Sequence, residues 1–450
     1  MRGQLLRFAI PFLLTNMLQT VYNIADMWII SRFLDTQAVA AANSGGQVLN
    51  VAINIITGLA VGGTVVIGQI AGAKAWADLQ KAVSTFLTMM FSVGFAFTLF
   101  FVIFARSFLV MINTPPEVLD EATDFLRIYS IGIIFLFGYN AVAAICRGVG
   151  NSKAPMLFML AASTLNVAMD LIFVLVLGFG VRSTAVSTVV GIVISFGLSA
   201  WYMLRQKDLF RVNLKSLRID GASLVRVLKV GVPSAVQSSV FGFSVLIVTA
   251  LINNYGVEAA ATAGIGSRID SVILMPLNAL SAAVSAMIAQ NLGAREVGRV
   301  RSTLKNGLLF GYIFAVAAFA VMQVVPEIFF GFFTTGEEAK ATIELGAVYL
   351  RWTSYNYLLV TGLIMFNAVA IGSGNTIYPL CTTIMNGFVF RAPIAMLFEQ
   401  VFGFGLSGVF MGLGFANIGG IIAGFIYYRL GYWSRPKGIK APPPAKPSVA

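Results

Sequence analysis

Residues 5–31, LLRFAIPFLLTNMLQTVYNIADMWIIS, decide the fold. The run is long and apolar enough to cross the ~30 Å hydrocarbon core of a bilayer, which takes roughly 20 residues of helix. Yet it carries Pro11, Asn16, Gln19, Tyr22, Asn23 and Asp26. A carboxylate inside such a span is costly unless it faces a wet cavity, a partner or an ion, so Asp26 is a functional residue by default. Tyr22, Asn23 and Asp26 lie three and four residues apart on one helix face, which is expected to look inward. Alternatively Asp26 reaches water at the outer end of the helix, but Met27 to Ile30 continue the apolar run.

The rest of the chain has the same character. Of 450 residues, 58% are hydrophobic and 11% charged, where a soluble domain carries about 25% charged residues. Mean hydropathy is +0.86. The chain is an all-α polytopic membrane protein. No cleavable signal peptide is expected, because the first apolar run is too long and lacks a small-residue cleavage site. The net charge of +12 reads as membrane orientation and not as nucleic-acid binding, because of where the charges sit. Histidine is absent, so a proton relay would use carboxylates with tyrosine or water as carriers. Cys146 and Cys381 fall in or beside apolar spans and read as packing thiols; no disulfide framework or metal site is indicated.

Twelve transmembrane helices are predicted near 5–31, 37–71, 82–110, 125–147, 154–178, 184–205, 224–253, 259–290, 305–326, 344–371, 377–401 and 405–430. With the N-terminus in the cytoplasm, 22 of the 30 Lys and Arg residues fall on that side, 7 fall outside, and Arg391 stays within a span. The bias places both termini in the cytoplasm. Acids collect on the outer side instead, at Glu117, Asp120, Glu121 and Asp124, and at Glu337, Glu338 and Glu344.

The two halves resemble each other. IGQIAGAK (67–74) matches IAQNLGAR (288–295), and Pro11 matches Pro233. LRIYSIG (126–132) and RGVGNSKAP (147–155) match LRWTSYN (350–356) and IGSGNTIYP (371–379) at a constant shift of 224. GFG at 178–180 returns at 403–405. Six spans repeated as six more is a transporter architecture. It predicts two pseudo-symmetric six-helix lobes, 1–206 and 222–433, joined by a cytoplasmic linker, 207–221, with a disordered tail, 434–450. Each Gly-Asn-x-x-x-Pro element reads as a turn and a helix start.

The halves differ in their charges. Asn166 and Asp170 form an i, i+4 pair in span 5, while the aligned positions of Asp26 and Asp170 in the second half are apolar; the intramembrane acids are expected in the first half alone. At 1.5 Å per residue, Asp26, Asp170 and Thr188 lie roughly 8, 12 and 6 Å inside the outer ends of their spans, at one level. Two carboxylates brought together at low dielectric cannot both stay charged and unpaired. Either one holds a proton or a cation sits between them. Asparagine and threonine oxygens would complete a shell suited to Na⁺. Arg391, the odd charge of the second half, either serves substrate and gating or binds backbone carbonyls.

Taken in order, these elements resemble the multidrug and toxic compound extrusion (MATE) family over about residues 5–430. The resemblance rests on Pro11 with YNIAD (22–26), the G-Q-x-x-G-A element of 68–73 with its copy AQNLGA, RGVGNSKAP with its copy, and Arg391. It implies two lobes around a central cavity that opens alternately to each side. It also implies export of small lipophilic or cationic compounds driven by entering H⁺ or Na⁺, with no cofactor. The setting would be a prokaryotic-type plasma membrane, with lipids as neighbours and the chain acting as a monomer. The family's first-lobe cation site maps onto Asp26, Asn166, Asp170 and Thr188, and its span-1 proline onto Pro11. Tyr22, Asn23 and Arg391 are assigned supporting or gating roles. Some members carry a Glu eight residues after the span-7 proline; here that position is Phe241, which is more similar to the DNA-damage-inducible-protein-F-like branch. A flippase for lipid-linked precursors or polysaccharides is the nearest alternative. An intramembrane aspartyl enzyme fits less well, since the context of Asp26 and Asp170 is wrong and the internal repeat would go unexplained.

Overall fold

A computed structural model of the chain describes residues 2–33, 36–176, 181–206, 218–333 and 339–434. The described residues are helical, as a chain crossing hydrocarbon must be when every backbone polar group is satisfied within its own segment. In chain order the long helices are α1 (Arg2–Phe33), α2 (Thr36–Gly72), α3 (Trp76–Met111), α4 (Pro116–Gly148), α5 (Lys153–Leu171), α6 (Val181–Arg205), α7 (Gly221–Asn253), α8 (Val257–Gly293) and α9 (Val297–Val324). They continue as α10 (Lys340–Gly372), α11 (Ile377–Val401) and α12 (Gly405–Leu430). Eleven of these, α2 to α12, are long and apolar enough to cross a membrane. The more polar α1 is 32 residues long, roughly 48 Å at helical rise.

Several helices outrun the apolar segments that predict them. α3 starts at Trp76 and α4 at Pro116, since charged residues at a helix end sit in the interface without ending the helix. Pro116 at the first turn of α4 and Glu117 beside it favour that start through a fixed φ and the helix dipole. α5 continues from Asp170 into a π-helical turn, Ile172–Val176. α11 carries π turns at Met385–Arg391 and Leu397–Val401. The latter lies about one repeat length from the turn in α5; the former, which ends on Arg391, has no counterpart there.

The sequence repeat is visible in the turns. Val149, Gly150 and Asn151 donate their N–H groups to Ile145, Arg147 and Cys146, and Ser373, Gly374 and Asn375 donate theirs to Val369, Ile371 and Ala370. Gly150 and Gly374 take φ of +94° and +84°, which is the left-handed helix end that glycine adopts without a Cβ penalty. Asn151 and Asn375 then donate to the hydroxyls of Tyr202 and Tyr427. Of the second GFG element, 403–405 forms the turn into α12; 178–180 lies outside the described residues, as do 207–217 and 435–450.

Packing divides the chain into two compact units. One holds 14–232 with 289–296; the other holds 2–13, Pro233–Ile288 and the described residues from Val297 onward. The repeat divides the chain at 207–221, whereas compactness divides it inside α1, two residues after Pro11, and inside α7 at Pro233. The first unit packs around Phe86, Met90, Phe137 and Ala141–Ile145, all fully buried or nearly so. Within it the repeated motif closes on itself. A Cβ at Gly72 would stand 2.0 Å from the Gln290 carbonyl oxygen, and one at Gly293 would stand 1.9 Å from that of Gln69. Both helix ends then turn at a left-handed cation, Lys74 and Arg295. The second unit packs around Val248, Ile252, Leu350, Tyr357, Val409 and Phe410.

Candidate functional site: a carboxyl pair in the first unit

The first unit brings Asp26, Asn166, Asp170 and Thr188 together from α1, α5 and α6. Asp170 is fully buried, and Asn166 and Thr188 are buried. Asn166 and Asp170, one helical turn apart, present their side chains on the same face. A Cβ at Gly191 would lie 3.2 Å from the Asn166 Cβ, so a glycine there lets α6 approach α5 beside the site.

The carboxyl groups of Asp26 and Asp170 hydrogen-bond to one another. Two carboxyl oxygens attract only when a proton or another cation lies between them. With its amide oriented to suit its neighbours, Asn166 donates to Asp26 Oδ1 at 3.2 Å and accepts the Thr188 backbone N–H at 3.1 Å. Ser187 Oγ donates to Asp170 Oδ1. The Thr188 hydroxyl reaches Asp26 and also the Thr184 carbonyl, at 2.8 Å. The second oxygen of Asp170 is buried and has no protein donor. On the same face of α1 as Asp26, the Tyr22 hydroxyl bonds to that of Tyr129 on α4. The Asn23 side chain lies outside the described residues. Pro11 is buried and belongs to the other unit.

The second unit corrects the expectation that intramembrane acids are confined to the first half. Asp270 sits within α8 and accepts the Tyr357 hydroxyl at 2.5 Å and the Tyr349 hydroxyl at 3.0 Å. The signal was present in the sequence. An acid interrupts the predicted span 259–290, and Tyr349, Thr353 and Tyr357 recur every four residues on one helix face. The repeat does not mark it, because Asp270 is aligned with neither Asp26 nor Asp170. Arg391 is buried; it donates to Ser244 Oγ at 3.0 Å and stands 5.1 Å over the ring of Phe241. That contact is a cation–π arrangement, made with the residue eight positions after Pro233 of α7. Glu399 instead accepts the Tyr255 hydroxyl, at 2.8 Å.

Long apolar helices and an internal six-helix repeat are the architecture of a membrane transporter. The MatE family model matches residues 11–172 and 233–397, and the chain belongs to that family. It is 28% identical over 431 residues to the probable multidrug resistance protein YoeA of Bacillus subtilis, covering 94% of this chain and 92% of that one. It is 25% identical over 417 residues to the multidrug export protein MepA of Staphylococcus aureus, covering 91% and 89%. Among solved structures, a MOP superfamily transporter from Pyrococcus furiosus superposes with a TM-score of 0.89 at 23% identity, covering 95% of each chain. A MATE transporter in complex with MaL6 superposes with a TM-score of 0.90 at 23% identity.

Proposed function

We propose that the protein exports lipophilic, often cationic, small molecules in exchange for an entering cation, and that Asp26 and Asp170 form the coupling site. The observation that carries this reading is the pair of facing carboxyls, Asp26 and Asp170, hydrogen-bonded to one another away from solvent. The ion assigned here is a proton. With its amide oriented to suit its neighbours, Asn166 turns its N–H towards Asp26 and its oxygen accepts the Thr188 N–H, which favours a shared proton over a Na⁺ shell. Occupancy by the cation biases an equilibrium between inward- and outward-open forms, and can do so only by its difference in affinity for the two. Exporting in this way, the chain acts as a monomer in a prokaryotic-type plasma membrane, with both termini in the cytoplasm as the Lys/Arg bias indicates. Tyr22 and Tyr129 line the approach to the pair, and Arg391 gates or orients substrate in the second unit.

The test is movement of a fluorescent lipophilic cation in proteoliposomes under an imposed pH gradient and, separately, a Na⁺ gradient. Export driven by the pH gradient supports the proton assignment, and export driven by Na⁺ alone overturns it while keeping the antiporter. With folded protein and no gradient-driven movement, flipping of a lipid-linked precursor becomes the better reading.

A further inference from the structure

We propose that a pocket at the start of α1 binds the phosphate headgroup of an anionic phospholipid. In the second unit a cavity of about 590 Å³ is lined by Arg2 and Gly3 of α1 and by Ser302, Lys305, Asn306 and Leu309 of α9. The α9 residues stand at i, i+3, i+4 and i+7, on one face. Arg2 Nε donates to Asn306 Oδ1 at 3.4 Å, which ties the two helices across the pocket. The lining contains two cations and no acid, and the first turns of both helices carry none either. Arg299 and Arg301 precede it on α9, so this end of the molecule is strongly positive.

Three features select a lipid phosphate. Ser302 and Asn306 supply neutral hydrogen-bonding groups beside two cations, the composition that suits a phosphodiester. Leu309, half-exposed, gives the far wall an apolar surface for the glycerol and the start of an acyl chain. Basic pockets of this kind, at the interface between membrane helices, are where anionic headgroups bind. Gly3 borders open space at the mouth, where a Cβ would meet nothing within 4 Å, so a larger side chain can be placed there without a clash. The consequence reaches the coupling helix. Residues 2–13 of α1 pack with the second unit and Asp26 with the first, so a lipid bridging Arg2 and Lys305 would fix the near end of the helix whose far end carries the carboxyl.

The experiment is native mass spectrometry of the full-length protein in equimolar phosphatidylglycerol and phosphatidylcholine of matched acyl chains. Two cations predict a preference for phosphatidylglycerol of roughly tenfold or more. That preference is lost in Arg2→Ala with Lys305→Ala, and also in Gly3→Leu, which fills the mouth without removing charge. Equal retention of both lipids, or a preference unchanged in folded variants, would overturn the proposal. Displacement of the bound lipid by millimolar inorganic phosphate would assign the pocket to a soluble phosphate and overturn the lipid source.

Discussion

The two units each bury a carboxylate against hydroxyl groups, and they solve the problem in opposite ways. Asp270 accepts two tyrosine hydroxyls from one face of α10, one on each oxygen. Asp170 faces a second carboxyl, Asp26, and one of its oxygens accepts from no other group. A buried polar group left without a partner costs roughly 1–3 kcal/mol, and more when charged, so the Asp26–Asp170 pair holds a need that, in the proposed function, an external cation meets. The lesson is that an acid in a membrane span is not by itself a coupling site. Nor does a shortage of donors alone mark one, since Glu121 and Glu399 each bury an oxygen without a donor as well; what Asp170 adds is a facing second carboxyl.

The sharpest way to break this comparison is to remove the acids one at a time. Asp26→Asn or Asp170→Asn should reduce gradient-driven efflux to the level of protein-free liposomes, with a melting temperature equal to or above that of the wild type. Efflux at the wild-type rate in both would sink the coupling assignment. Asp270→Asn should do the reverse. Transport should persist at a reduced rate, and thermal stability should fall, because buried donors lose a charged acceptor worth roughly 1.5–3 kcal/mol per hydrogen bond. Tyr357→Phe should show a smaller loss of the same kind. Ser187→Ala, which removes the donor to Asp170, should slow efflux by about tenfold, as expected for one charge-assisted bond.

The smallest effect lies outside the membrane. Asp220 accepts the Ser223 backbone N–H at 2.8 Å at the start of α7, while its own N–H donates to Thr85 Oγ1 at 2.9 Å. The bonds from Ser223 hold its carboxyl below the ordinary value of 3.8. A depressed value means the cap's contribution is present above that pH and is lost as pH falls through the folded-state value. The melting difference between wild type and Asp220→Ala should therefore be small at neutral pH and vanish in acid, as thermal melts across pH would show.

The architecture was legible because hydrocarbon leaves one solution, and the runs between residues 5 and 430 announce it. The turns were legible because glycine and asparagine recur at a shift of 224. The partners of Asp26 could be placed by depth along each helix, which puts oxygens of α1, α5 and α6 at one level. Sequence did not reveal Ser187, because its bond to Asp170 depends on how α6 rotates against α5. Nor did it reveal that the Asn166 amide sits between Asp26 Oδ1 and the Thr188 backbone N–H. The passage of α1 and α7 from one compact unit to the other, beside Pro11 and at Pro233, is a property of packing that apolar runs do not encode.

The central claim is that substrate and a proton compete through the Asp26–Asp170 pair. Its most direct test is to add a lipophilic cation to purified protein in weakly buffered detergent solution and count released protons with a pH indicator. The account predicts about one proton released per bound substrate in the wild type, and none in Asp26→Asn or Asp170→Asn. Stoichiometric substrate binding without proton release in the wild type would contradict it.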